Sequence, residues 1–320
     1  MKTHLFKALS DSVAELSRSQ IDKLAKLLDV RRNELDSMRA LVTHEPKACP
    51  HCGSLGIVRN GIQNGLQRFR CKDCHRTCSS ATGTPLARLK RKDLLAGYAQ
   101  CLREGLTLRQ TAERLDISLD RAFRWRHRFL ARPVEHQPGL ITGLLEIDET
   151  YFQRSEKGSR ALTREARGHG GMTSGSGRLA EEWVPVLVGR ARGKPYVLDK
   201  VLPNMTKAEV AKALKPSVDP KETMLCSDTH KTFLSMEKEL GVACQFFVES
   251  EEHKAEGLHV NNVNNYHQRL KTWVNCVLRG VATKYLPHYL AWQRLRTWSV
   301  KPLDASDYIG SALGRKLINV

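Results

Sequence analysis

The chain has 320 residues, 41% of them hydrophobic, nine cysteines and a formal net charge of +18. That length suggests two or three domains with apolar material for at least one sizeable core. No stretch approaches the roughly 20 apolar residues that a bilayer-spanning helix needs, and the charged start Met1-Lys-Thr-His-Leu-Phe-Lys lacks a signal core. Membrane insertion and secretion are therefore not expected; a cytoplasmic setting is.

Residues 1–45 place Leu5, Leu9, Val13, Leu16, Ile21, Leu24, Leu27 and Leu28 at helical spacing. They predict two short helices, with Ser19 as a cap of the second. Such a segment serves either as a small DNA-contacting or dimerising module or as a packing appendage. The basic charge begins beyond it. Residues 47–132 hold 18 Lys and Arg against 6 Asp and Glu. A block of this kind points to nucleic acid, through phosphate neutralisation and counterion release, with a solvated surface kept for solubility as the plainer alternative.

Within residues 46–82, Cys49-Pro-His-Cys52 and Cys71-Lys-Asp-Cys74 are separated by 18 residues. Two CxxC pairs in a chain without a signal peptide favour metal over disulfides. The thiolates of Cys49, Cys52, Cys71 and Cys74 can surround one structural Zn2+ tetrahedrally. Gly53, Gly56, Asn60-Gly61 and Asn64-Gly65 supply the turns of a β-ribbon. His51 and His75 read as bystanders, and Cys78, Cys101, Cys226, Cys244 and Cys276 as buried thiols.

Residues 90–133 give a three-helix pattern. The first helix is expected over 93–103, ending before Gly105; Thr107 and Gln110 form a capping-box pair for the second. Ser118 caps a third helix carrying Ala122, Trp125 and Phe129 inward. This is helix-turn-helix spacing, and Arg121, Arg124, Arg126 and Arg128 on the third helix are the candidate contacts to double-stranded DNA. A plain basic helical hairpin is the alternative.

From residue 141 the period changes to that of strands, expected at 141–151, 183–189, 195–201, 223–227 and 243–248. Helices are expected at 206–214, at 230–240 and from Val260 onward. Three successive strands followed by alternating helices and strands imply a mixed sheet with helices on its faces, the order of a ribonuclease-H-like domain over 141–300. The whole reads as a multidomain α+β chain: helical N-terminus, zinc ribbon, helix-turn-helix, α/β domain and a tail over 301–320. Residues 154–178, with Gly168-His-Gly-Gly171 and Ser174-Gly-Ser-Gly177, form a loop that either closes over DNA or is a solvated hairpin tip.

Asp148 ends the run Leu144-Leu145-Glu146-Ile147, and Asp228 ends Met224-Leu225-Cys226-Ser227. Two carboxylates on strand ends with a polar ligand at a helix start suit a two-metal phosphoryl-transfer site. On the helix from Val260, an apolar stripe of Val260, Val263, Leu270, Val274 and Val277 faces the core. Asn264, His267 and Lys271 share the adjoining face. Glu149 points away from Asp148 in a regular strand and is left out.

These pieces, with Gly83-Thr-Pro85, Ile147-Asp-Glu-Thr150, Glu156-Lys-Gly158, Ser227-Asp228, His259-Val-Asn261, Tyr266-His-Gln-Arg-Leu-Lys271 and Gly280-Val-Ala-Thr-Lys-Tyr-Leu286, give the chain its family likeness. Over roughly residues 46–298 it resembles the bacterial insertion-sequence transposases with a zinc ribbon and a DDE-type ribonuclease-H-like domain, the group related to Merlin elements. The resemblance implies Asp148, Asp228 and Asn264 as ligands of catalytic Mg2+ or Mn2+, and Lys271 as a basic residue beside the substrate phosphate. Asn stands where the wider superfamily has Glu, so Glu249, Glu252 or Glu256 is a candidate helper. The implied activity is cleavage at terminal inverted repeats and strand transfer into target DNA by a homo-oligomer in the nucleoid. The alternative is a catalytically inactive, transposase-derived DNA-binding regulator.

Overall fold

A computed structural model describes residues 2–43, 45–63, 66–163, 182–247, 259–297 and 302–315. They fall into two compact units: Met1–Ala122 with Asp304–Arg315, and Phe123–Leu303 with Lys316–Val320.

The first unit opens with helices α1 (Thr3–Ser12) and α2 (Arg18–Val42). Ser17, not Ser19, caps α2. Its hydroxyl accepts from the Gln20 N–H while the Gln20 side chain accepts from Ser17 N at 2.8 Å, the reciprocal pair of a capping box. No Gly or Pro interrupts residues 18–42, so α2 runs for 25 residues where a short helix was expected. Only its last turns are packed: Ser37, Ala40 and Leu41 are buried, and Ser37 Oγ accepts from Ala96 N at 2.8 Å.

Next comes an antiparallel ribbon, β1 (Ile57–Gln63), β2 (Leu66–Cys71) and β3 (Thr77–Cys78). Helices α3 (Leu95–Glu104) and α4 (Leu108–Leu115) follow, and α5 (Leu119–Ala131) starts in this unit and belongs to the second from Phe123 onward. The expected stops and starts are present. α3 ends on Gly105 in the left-handed region (φ +75°), which glycine adopts without Cβ strain. Thr107 and Gln110 form the capping box of α4, and Ser118 Oγ accepts from Arg121 N at 3.2 Å to start α5.

The second unit is built on a five-stranded sheet. Its strands are β4 (Ile141–Gln153), β5 (Trp183–Ala191), β6 (Val197–Val201), β7 (Val218–Asp228) and β8 (Ala243–Phe247), in the order β6-β5-β4-β7-β8. β4, β5 and β6 pair antiparallel; β7 lies parallel to both β4 and β8. This is the mixed, ribonuclease-H-like order expected from sequence. Its parallel half needs crossovers, supplied by α6 (Lys207–Leu214) between β6 and β7 and α7 (Met236–Leu240) between β7 and β8. The helix expected over 230–240 is a 3-10 turn, Phe233–Ser235, leading into the short α7.

β4 sorts its side chains by alternation. Ile141, Leu145 and Ile147 enter a core with Leu187, Leu198, Val210, Leu214, Leu225 and Phe233. Glu146 and Asp148 face the other way, toward α8 (Asn261–Thr272). Val263, Tyr266 and Leu270 are the buried face of α8. Beyond Thr272 the helix loosens into five π-helical residues, Trp273–Val277. The wider turn shifts the phase, so Trp273 and Val274 are buried while Val277, expected in the stripe, is 48% exposed.

α9 (Leu286–Thr297) closes the second unit. α10 (Ala305–Ala312) belongs to the first, where it packs on α3 and α2.

Candidate active site and cysteine cluster

In the first unit the four sulfurs of Cys49, Cys52, Cys71 and Cys74 lie within 4.8 Å of one another. The closest pairs, Cys49–Cys74 and Cys52–Cys71, are each 3.6 Å apart. Zn–S bonds of about 2.3 Å in a tetrahedron put sulfurs about 3.8 Å apart, so this donor set fits zinc. The knuckle turns achieve it locally: Gly53 N donates to Cys49 O at 2.8 Å and Cys49 N to Ser54 O at 2.7 Å. The Cys74 backbone N–H, opposed by burial and helped by the Asp73 N–H, draws the Cys71 thiol down to about 6. At Cys52 the Ser54 N–H is outweighed by Cys74 and burial, which push that thiol up to about 12, so one sulfur holds a proton that its neighbour gives up.

The α5 arginines divide. Arg121 and Arg124 are exposed and Arg128 is half-buried. Arg126, expected among the DNA contacts, is instead only 1% exposed. Its guanidinium lies 4.6 Å from the centre of the Trp292 ring, a buried cation–π contact on α9. An unbroken run of arginines at every second or third position on one helix cannot all face outward. The 3.6-residue period puts Arg126 on the buried side with Ala122 and Phe129.

In the second unit Asp148 stands late on β4 and Asp228 ends β7. The parallel register runs through Leu144↔Met224, Leu145↔Leu225 and Glu146↔Cys226. Carried on by two residues, it sets Asp148 opposite Asp228, on strands about 4.8 Å apart. Asp148 Oδ1 accepts from Glu149 N at 2.8 Å, and Asp228 Oδ1 from His230 N at 3.1 Å.

The electrostatics of this pair are strained. Burial, then the neighbouring Glu149, then Asp228 push Asp148 up to about 7; the Glu149 N–H and Lys271 pull the other way. His267, 7% exposed, brings Nδ1 to 3.6 Å from Asp148 Oδ2, too long for a hydrogen bond. Burial and the Lys271 ammonium hold that imidazole down to about 4, so it adds no positive charge beside Asp148. A site with hard oxygen donors and more negative charge than its cations balance suits a divalent ion. Asn264 is exposed in the first turn of α8. Lys271 lines a cavity of about 340 Å³ with Glu149, Thr150, Tyr151, Trp183 and Asn275. Asp148, Asp228 and Asn264 do not line that cavity. Glu249, Glu252 and Glu256 fall outside the described residues, as does the glycine-rich part of the 154–178 loop.

A second carboxylate on β4, which the sequence reading passes over, fixes where α8 begins. Glu146 is fully buried. Its Oε2 accepts from Asn262 N at 2.9 Å and Val263 N at 3.4 Å; Oε1 accepts from Asn262 Nδ2 at 2.7 Å and Arg192 Nε at 2.9 Å. The anion sits on the positive end of the α8 dipole. Arg192 also donates to His259 O at 2.9 Å, tying β5 to the residue before the helix. Farther along α8, Tyr266 donates to Asp199 Oδ2 at 2.6 Å, and Arg294 of α9 pairs with the same buried aspartate. The sequence signal for Glu146 is a charge set between apolar neighbours, Leu145 and Ile147.

Residues 140–296 match the ISXO2-like transposase domain, and residues 93–134 match a homeodomain-like domain. An uncharacterized protein in transposable element ISH50 of Halobacterium salinarum is 29% identical over 253 residues, 78% of this chain and 84% of that protein. Among solved structures, the catalytic core domain of BIV integrase is similar at 16% identity and TM-score 0.29, over 48% of this chain and 84% of that one. A pre-cleavage Mos1 transpososome is similar at 11% identity and TM-score 0.22, over 69% and 78%. A homeodomain-like domain and a transposase domain are thus matched in succession, and over these stretches the chain is similar to the insertion-sequence transposases.

Proposed function

We propose that this chain is a transposase that cleaves DNA at the terminal inverted repeats of its element and joins the freed ends to target DNA, with Asp148, Asp228 and Asn264 as ligands of Mg2+ or Mn2+. The observation that carries the reading is the parallel β4–β7 register, paired as far as Glu146↔Cys226 and leading both strands on to an aspartate, in a stretch that also holds the helix with Asn264 and Lys271 and matches the transposase domain. Bound divalent cations supply activation of the attacking oxygen and stabilisation of the departing one. Asp148 and Asp228 contribute charged oxygens, and Asn264 a neutral amide oxygen that binds more weakly than a glutamate would. The Lys271 ammonium pairs with a phosphate oxygen next to the scissile bond.

In the first step a water oxygen bonds to phosphorus and the P–O3′ bond breaks, leaving a 3′ hydroxyl on the element end. In the second, that hydroxyl oxygen bonds to a target phosphorus and displaces the target's own 3′ oxygen. Each step exchanges one P–O bond for another with no covalent enzyme intermediate, so positioning carries much of the catalysis. The zinc ribbon and the exposed arginines of α5 hold duplex DNA. Two ends must meet, which calls for a homo-oligomer working on DNA in the cytoplasm.

Asn264 favours one rival reading, a DNA-binding regulator that has lost catalysis. Incubating the protein with DNA carrying the element's ends in Mg2+ or Mn2+ separates the two. Nicking that Asp148→Ala abolishes supports the enzyme; tight end binding with no nick in either ion supports the regulator. Nicking without joined product marks a nuclease only.

A further inference from the structure

Over residues 18–36 of α2 no side chain is buried, a length of about 28 Å at 1.5 Å per residue. A helix of that length without a packed face is marginal in water, so the pattern of its exposed apolar residues matters. Ile21, Leu24, Leu28, Leu35, Met38 and Val42 recur at alternating intervals of three and four, broken at one step by Arg31, while Leu27 and Val30 are exposed outside that series. That is the a/d spacing of three heptads. Ile21, Leu28, Leu35 and Val42, the a positions, are 47%, 56%, 53% and 50% exposed. Of the residues that anchor α2 in its own unit, Ser37 and Ala40 fall at c and f, opposite the seam, and Leu41 falls at g, on its flank. The helix therefore has one face already used and a second, seam-like face exposed at its a positions, while Glu34 and Met38 border a cavity with Arg88, Leu89, Lys92 and Asp93 of the same unit.

We propose that this seam pairs in parallel with the α2 seam of a second copy of the chain. The flanking charges select that partner and that direction. Glu34 falls at g and Arg39 at the following e. In a parallel pair each Glu34 meets the partner copy's Arg39, giving two attractive contacts across the twofold axis. An antiparallel pair brings the e-position Arg32 and Arg39 together and repels. Arg31, at d, already rests its guanidinium on Glu34 at 2.5 Å, so its charge lies at the edge of the seam with its stem along it. A single polar residue at such a position sets register at some cost in stability. This surface is separate from the acidic site, and its test does not depend on the catalytic reading.

The test is sedimentation of the DNA-free full-length chain from submicromolar to tens of micromolar concentration. The wild-type chain is expected to dimerise. Leu28→Glu with Leu35→Glu, both outside the packed part of α2, should weaken self-association by tenfold or more and remove any dependence of the thermal unfolding midpoint on protein concentration. Glu34→Arg and Arg39→Glu should each self-associate more weakly than wild type, and an equimolar mixture should associate more tightly than either alone, because the mixed pair restores both contacts. A wild-type chain that stays monomeric overturns the proposal, whether or not it floats with lipid vesicles. So does a double glutamate variant that dimerises like wild type. A mixture no tighter than its components overturns parallel pairing. End cleavage measured on the same preparations shows separately whether the catalytic reading stands.

Discussion

Replacing Asp148 by Asn asks whether the acidic pair is held in tension until a cation arrives. The carboxyl rises from its ordinary 3.8 to about 7, and its side chain is 19% exposed, so solvent screens it little. At 1.36 kcal/mol per pH unit the rise is worth about 4 kcal/mol at most, and about 2–4 kcal/mol after structural relaxation. The sign follows from proton binding. Below pH 3.8 the group is protonated in both folded and unfolded chains and costs nothing. Between 3.8 and 7 the folded chain binds the extra proton, so stability falls as pH rises. Above 7 the full penalty stands. The amide of the variant keeps the acceptor for Glu149 N and removes the charge. In buffer free of Mg2+ and Mn2+, with zinc retained, Asp148→Asn should therefore be more stable than wild type by about 2–4 kcal/mol at pH 8 and indistinguishable at pH 4. Mg2+ at about ten times its Kd should stabilise wild type by about 1.4 kcal/mol and the variant not at all. Urea unfolding of the second unit at pH 4, 6 and 8, with and without Mg2+, reads all three. A variant no more stable than wild type at pH 8, or one that gains equally from Mg2+, would refute the reasoning.

The remaining expectations are shorter. Glu146→Ala strips a buried anion from Arg192 and the α8 N-terminus; it should cost about 3 kcal/mol in urea unfolding and lower end cleavage further than stability alone explains. Arg126→Ala should destabilise by about 1–3 kcal/mol through lost packing on Trp292. Arg121→Ala and Arg124→Ala should instead spare stability and each reduce the salt slope of DNA binding by about 1, measured by anisotropy titration at several salt concentrations. Elemental analysis should find one zinc per chain, and Cys71→Ser should lose it together with the ribbon's resistance to proteolysis. Asn264→Glu should retain cleavage or shift its preference between Mg2+ and Mn2+ while Asn264→Ala loses most of it; equal rates in all three proteins would remove Asn264 from the site.

Legibility tracks how local each signal is. The cysteine ribbon and the helix-turn-helix caps are readable because CxxC pairs and a Thr107–Gln110 box act within a few residues. The sheet order follows from the succession of strand and helix periods, which few topologies satisfy. What fails is phase over longer distances. Residue type alone assigns Arg126 to a surface that its helical position denies it. Val277 is projected along an α-helix that becomes a π-helix at Trp273. The extent of α2 is underestimated because capping residues mark a start while only the absence of a breaker marks the length.

Glu146 shows why a charge set between apolar neighbours asks for a structural partner before a catalytic one. Two residues apart on one face of β4, Glu146 and Asp148 meet opposite fates. Glu146 takes two backbone N–H groups, the Asn262 amide and Arg192, with every oxygen engaged. Asp148 has one backbone N–H, a neutral imidazole at 3.6 Å and a like charge as neighbour. The first carboxylate is saturated and holds α8 at its start; the second is left short of positive charge. The satisfied group fixes the helix that carries Asn264, His267 and Lys271, so loosening it would shift all three relative to Asp148. Glu146→Gln distinguishes positioning from fold maintenance. It keeps the acceptor for the helix N–H groups but loses the charge that binds Arg192, so a drop in cleavage at unchanged DNA affinity would assign Glu146 to placing α8 over the acidic pair.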